Sequence, residues 1–148
     1  MGVEVEIKAH VDDYKALTAR LREFGTFQRD YVKEDYYFSR SPTPKGARFR
    51  LRRDDDAWIC TAKQKTLVDG VEQNVEREFT VSDGAAFRHF AEDLGFSVVV
   101  EKRKHGSSWL VGGVVVEVSS VNDLGQFVEL ELVLPDDSTE DDLASARQ

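Results

Sequence analysis

The stretch Val3-Glu4-Val5-Glu6-Ile7-Lys8-Ala9-His10-Val11 alternates without a break. Its apolar residues (Val3, Val5, Ile7, Ala9, Val11) point one way and Glu4, Glu6, Lys8 and His10 point the other, the period-two mark of a β-strand with one buried face. Outward from it, Tyr14, Leu17, Leu21 and Phe24 recur at helical spacing. Asp12 or Asp13 is placed to cap that helix and Gly25 to end it. Strands are expected over 28–39, 46–53, 57–66 and 71–81. They are separated by Ser41-Pro42-Thr43-Pro44-Lys45-Gly46, by Asp54-Asp55-Asp56 and by Asp69-Gly70. Phe87, Phe90, Ala91 and Leu94 predict a second helix from about Ser82 to Gly95. Strands over 97–105, 108–119 and 126–134 follow, with Gly106 and Gly112-Gly113 as turn or bulge positions. Connections this short leave little room for parallel crossovers, so the sheet is expected to be antiparallel. Ser138 to Gln148 reads as a capped helix start that the chain end cuts short, which predicts a single domain over 1–148 with a short or truncated C-terminus.

A chain of 148 residues, 41% apolar, can bury a core without disulfides or structural metal. Cys60 is the only cysteine, which excludes disulfide frameworks and thiolate zinc sites; it is expected to be a buried small residue. No apolar run is long enough to span a membrane, and the start lacks the basic residues of a secretory signal, so a cytoplasmic protein is expected. The net charge of -8 argues against nucleic acid or an anionic membrane as partner. That charge is unevenly distributed: residues 1–44 carry a net -1, residues 45–65 a net +4, and residues 66–148 a net -11. An acidic chain with a compact cationic segment can still bind an anion locally.

The polar faces of the strands carry the chemistry. Arg48, Arg50 and Arg52 share one face of their strand, and Lys63 and Lys65 share one in the next. Glu76 and Glu78 form a pair, as do Glu129 and Glu131. A wet sheet face normally mixes signs, whereas each of these rows carries one sign. At ~8 Å and an effective dielectric of ~20, each like-charged pair repels by about 2 kcal/mol before screening. Guanidinium forks and lysines suit phosphate oxygens. Rows of carboxylates suit Mg²⁺ or Mn²⁺, hard cations that commonly bridge carboxylates to phosphates. Together they describe a site for a metal-bound polyphosphate. If the sheet closes, the apolar faces turn outward beneath the helices and the charged faces line a lumen, the inverse of an ordinary small barrel.

At this level of detail the chain resembles the CYTH superfamily, the triphosphate tunnel metalloenzymes. Glu4-Val5-Glu6-Ile7-Lys8 looks like its ExExK signature, and Lys33-Glu34-Asp35-Tyr36-Tyr37-Phe38 resembles its KxDxYF segment. Phe49-Arg50-Leu51-Arg52, Thr61-Ala62-Lys63, Glu76-Arg77-Glu78 and Lys102-Arg103-Lys104 fall where the family has LRIR, TxK, ExE and KxR. Leu124-Gly125-Gln126-Phe127-Val128-Glu129-Leu130-Glu131 is close to its LGxFvEiE strand. The series runs from residue 3 to about 134. It implies an α+β fold, a closed eight-stranded antiparallel β-barrel forming a triphosphate tunnel with helices packed outside. It also implies Mg²⁺ or Mn²⁺ held by Glu4, Glu6, Glu76, Glu78, Glu117, Glu129 and Glu131. Phosphate contacts would come from Lys8, Arg50, Arg52, Lys63 and one or more of Lys102, Arg103 and Lys104. Arg48 and Lys65 either extend that cationic row or reach solvent.

The reaction implied is metal-dependent hydrolysis of an inorganic, thiamine or nucleoside triphosphate, with Glu4, Glu6 and Lys8 at its centre. One alternative is a class IV adenylyl cyclase, which converts ATP to cyclic AMP and pyrophosphate. A second is a non-catalytic polyphosphate or nucleotide module. The chain is expected to be a monomer or homodimer. It departs from the family at Ser119, where Asp is usual, and at Asn74, where Arg often precedes the ExE pair. His10 shares the ExExK face and is expected to hydrogen-bond at the lumen or strand end. Trp58 opposes the lysine face and is expected in the core.

Overall fold

The computed structural model describes residues 2–40, 47–135 and 144–145. In chain order the elements are β1 (Gly2–His10), α1 (Tyr14–Phe24), β2 (Thr26–Ser39), β3 (Phe49–Asp54) and β4 (Ala57–Val68), then β5 (Val71–Val81), α2 (Gly84–Asp93), β6 (Ser97–Val111), β7 (Val114–Val121) and β8 (Gly125–Pro135). The eight strands close into a barrel in the order β1-β5-β4-β3-β2-β6-β7-β8, and every neighbouring pair is antiparallel. The expected architecture is therefore present. The loop over 41–46 and the helix expected from Ser138 lie outside the described residues, apart from a helical pair at Ala144 and Ser145.

Turn chemistry sets several of the boundaries. The β4–β5 hairpin turns on Asp69 and Gly70, both at positive φ, and the β6–β7 hairpin turns on Gly112 and Gly113, also both positive. Two consecutive positive-φ residues match the right-handed twist of the flanking strands, which is why Asp-Gly and Gly-Gly serve there. This corrects the expected boundary near Gly106: the sixth strand runs unbroken to Val111, and the chain reverses six residues later than the sequence reading put it. Gly106 is needed for proximity. A Cβ there would stand 2.2 Å from the Val118 carbonyl oxygen and 2.8 Å from Ser119 Cα on β7. Gly106→Ala should therefore force β6 and β7 apart and cost about 2 kcal/mol, lowering the thermal midpoint by about 4–8 °C. An unchanged midpoint would show that the two strands are not held this closely.

The apolar core sits outside the barrel wall. Asp13 caps α1 by accepting from the Ala16 amide at 3.0 Å, and α1 presses Leu21 onto Trp109, Val116 and Val118 of β6 and β7. Asp83 caps α2 through the Ala86 amide, also at 3.0 Å. That helix presses Ala91 onto Phe38 and Leu51 of β2 and β3, with Phe49, Phe87, Phe96 and Trp58 around them. Cys60 is buried, as expected. With the helices occupying the outer face, strand alternation sends the charged residues inward.

Candidate functional site

The barrel encloses a cavity of about 910 Å³ lined almost entirely by ionic and polar side chains. The two signs are segregated by strand. From β1, β5, β7 and β8 come Glu4, Glu6, Glu72, Glu76, Glu78, Glu117, Glu129 and Glu131. Lys33, Arg50, Arg52, Lys63, Lys65, Lys102 and Lys104 come from β2, β3, β4 and β6, Arg48 stands just before β3, and Lys8 is the cation that β1 adds.

Ion pairs cross between these walls. Lys63 Nζ lies 3.1 Å from Glu76, 3.6 Å from Glu4 and 3.8 Å from Glu6. Glu129 lies 3.7 Å from Lys8 and 3.4 Å from Lys104, Lys33 sits 3.3 Å from Glu117, and Lys65 2.6 Å from Glu72. Glu78 and Arg50 share the Thr61 hydroxyl, which donates to Glu78 at 3.3 Å and accepts from Arg50 at 3.4 Å.

The carboxylates are crowded beyond what these cations balance. Glu4, Glu6 and Glu131 offer oxygens within 4.8 Å of one another, and so do Glu117, Glu129 and Glu131. Burial, with the neighbouring Glu4 and Glu129, pushes Glu6 up to about 10. Burial, Glu117, Glu6 and Glu129 push Glu131 up to about 7. Burial raises Glu129 as well, but Lys104, Glu6 and Lys8 outweigh it and bring the group down to about 2. Burial is also the main reason that Glu4 lies above its ordinary range. Glu4 Oε1 is buried with no hydrogen-bond partner. All-oxygen donors, spacing within reach of one ion, and a buried Glu4 oxygen that has a 3.6 Å ion pair with Lys63 but no hydrogen bond together fit a hard divalent cation such as Mg²⁺ or Mn²⁺.

The sign of the pH dependence follows. Glu6 and Glu131 hold protons in the fold that the unfolded chain releases above about pH 4.5, so their contribution to stability falls as pH rises toward about 7 and then 10. In chelator, the thermal midpoint should drop by about 5 °C or more between pH 5 and 8.5, and Mn²⁺ should largely remove the drop. A midpoint that stays flat or rises over that range would mean that the acidic wall is not strained.

Every candidate drawn from the sequence lines the cavity except Arg103. Three consecutive basic residues cannot all face inward on a strand; Lys102 and Lys104 do, and Arg103 is exposed on the outer face opposite Glu34. The inclusion of Arg103 among the phosphate ligands is thus corrected. Lys33, Asp35, Tyr37, Thr61 and Glu72 were not singled out as site residues, yet each is in or directly behind the lining. For Thr61 and Glu72 the signal was alternation along β4 and β5 from residues already assigned inward; for Lys33, Asp35 and Tyr37 it was their own period-two spacing along β2. Asn74 and Ser119, the two departures, are both buried, with Asn74 donating to Glu72 at 2.9 Å. His10 lies at one mouth, its ring 4.4 Å from that of Phe127.

Among the described residues no helix is long and apolar enough to cross a membrane. A Methanocaldococcus jannaschii protein named "Putative adenylate cyclase MJ0240" is 27% identical over 143 residues, covering 94% of this chain and 82% of its own length. The solved structure of PH1819 from Pyrococcus horikoshii superposes with a TM-score of 0.80 at 24% identity, over 97% of this chain and 84% of the other. That of Hippeastrum HpAC1, described as a "putative adenylyl cyclase" with a dominant triphosphatase activity, gives 0.65 at 16% identity over 99% of this chain and 83% of the other. The CYTH domain family model matches residues 2–147, and the protein that builds this divided tunnel belongs to that family.

Proposed function

We propose that the tunnel binds a triphosphate and that the chain hydrolyses its terminal phosphate with the help of a divalent cation. One observation carries this reading: a lumen inside a closed barrel, with a carboxylate wall facing a guanidinium and ammonium wall. A triphosphate would lie along the basic side, gripped by Arg50, Lys63, Lys102, Lys104 and Lys8, with Arg48 and Lys65 toward the mouth. Glu4, Glu6 and Glu131 would hold the cation, with Glu117 and Glu129 beside them; when bound it supplies Lewis-acid stabilisation of charge on the phosphoryl oxygens. The carboxylates would orient the attacking water by accepting its hydrogen bonds, and the cations would stabilise the charge that collects on the leaving oxygen as the phosphorus–oxygen bond breaks. The family resemblance and the triphosphatase described for the Hippeastrum protein support this reaction.

The second reading is cyclisation of ATP, with the ribose 3′-hydroxyl in place of water; the name of the M. jannaschii relative favours it. A module that binds without turnover is the third, and it draws on Ser119 and Asn74. Incubation with Mg²⁺ or Mn²⁺ and either ATP or inorganic tripolyphosphate separates them. Orthophosphate release is expected. Cyclic AMP with pyrophosphate would replace hydrolysis by the cyclase reading, and tight binding without product would leave only the module.

A further inference from the structure

Among the charged residues of the basic wall, one does not belong by sign. Asp35 lies in the middle of β2, in register between Arg52 of β3 and Lys102 of β6, with Lys33 and Lys104 one inward step away. It is completely buried, and it stands behind Arg52, which faces the cavity. Both carboxylate oxygens are taken by one guanidinium: Arg52 Nε donates to Oδ1 at 2.6 Å and an Arg52 terminal nitrogen to Oδ2 at 2.8 Å. Such a fork-to-fork pair fixes orientation as well as charge. Burial alone would raise Asp35, but Arg52, Arg50 and Lys104 hold it below its ordinary range, so it is an anion in the fold.

Arg50 is in the opposite condition. Among the described residues its guanidinium donates to Thr61 at 3.4 Å, and its Nε is buried without a hydrogen-bond partner. An unpaired buried donor on a guanidinium is costly unless something arrives to accept from it. The two arginines of Arg50-Leu51-Arg52 look equivalent in sequence, yet one fork is full and the other is open.

The geometry points to Asp35 as the built-in counter-ion of the basic wall: it locks Arg52 as a positioning residue and cancels its charge, leaving Arg50 as the guanidinium that grips phosphate. This rests on the triphosphate reading and refines it, since it sets how strongly the wall binds. An unpaired Arg52 would add a further positive charge to a wall converging on one polyanion and favour retention of product. An internal acid lowers the net attraction without giving up the geometry.

A charge cycle read by calorimetry tests this, with inorganic tripolyphosphate titrated into the full chain with and without Mn²⁺. Asp35→Asn should bind about tenfold tighter than the unaltered chain, and Arg52→Gln about tenfold weaker. The double variant, which restores the net charge, should fall within about threefold of the unaltered chain. Arg50→Gln should lose at least ~30-fold.

If Arg52 itself grips phosphate, the double variant stays as weak as Arg52→Gln and the inference is wrong; it is equally wrong if Arg50→Gln binds normally. Each single variant at the pair leaves a buried charge alone and could fail to fold. In that event the double variant, which removes both charges, decides by the same threefold criterion. A role confined to stability would shift melting without this ordering of affinities. Failure of the unaltered chain to bind tripolyphosphate would overturn the triphosphate reading and this inference together, whereas binding in the wrong order overturns this inference alone.

Discussion

Glu6→Gln should lower metal-dependent turnover at least ~100-fold while making the metal-free chain more stable at neutral pH, because glutamine stays neutral without taking up the proton that a buried Glu6 must hold. The two halves of that expectation come from one feature. Glu6 is buried between Glu4 and Glu129, and that position pushes its carboxyl up to about 10, so at neutral pH without metal it is already a neutral group that glutamine imitates in shape and charge. With a divalent cation the same side chain would have to give up its proton and become a charged oxygen ligand, which glutamine cannot do. A 100-fold loss corresponds to about 3 kcal/mol of transition-state stabilisation. Phosphate release measured beside thermal unfolding in chelator separates the two halves. Normal turnover would remove Glu6 from the metal assignment, and a large fall in metal-free stability would mean that it serves the fold instead.

Phe38→Ala should cost roughly 4 kcal/mol of stability, the largest loss expected from a single side chain here. Phe38 is wholly buried under α2, stacked on Phe49 with ring centroids 4.9 Å apart and edge-on to Phe87 at 6.5 Å. Removing the ring takes away its burial and both aromatic contacts and leaves a cavity that a closed sheet cannot easily collapse. The site depends on this packing. Phe38 and Phe49 are cross-strand partners on the outer face of β2 and β3, and the inner face of those strands carries Asp35, Arg50 and Arg52. The denaturant midpoint should fall accordingly, with the thermal midpoint lower by about 8–16 °C. A loss under about 1 kcal/mol would mean that the outer aromatic cluster does not hold these strands together.

Much of this molecule could be read from residue types in order. Period-two alternation in residues 3–11 placed Glu4, Glu6 and Lys8 on one face, and the same rule applied to residues 48–52, 63–65 and 129–131 placed their charges. That rule works because a strand has only two sides and water-averse side chains must share one of them. It fails where consecutive residues have similar chemistry. Lys102-Arg103-Lys104 gives no indication of which member faces out until β2 sets the register. Gly106 looks like a turn until Val118 and Ser119 are seen to crowd it.

Strand periodicity and charge were therefore enough to predict about eight antiparallel strands with an ionic face. They could not reveal how the ions divide among themselves, because pairing depends on which strands become neighbours when the sheet closes. Arg50 and Arg52 are two residues apart and point the same way. Only the pairing of β2 with β3 brings Asp35 opposite Arg52 and Tyr37 opposite Arg50. Distance in space, which chain order does not encode, governs Coulombic attraction.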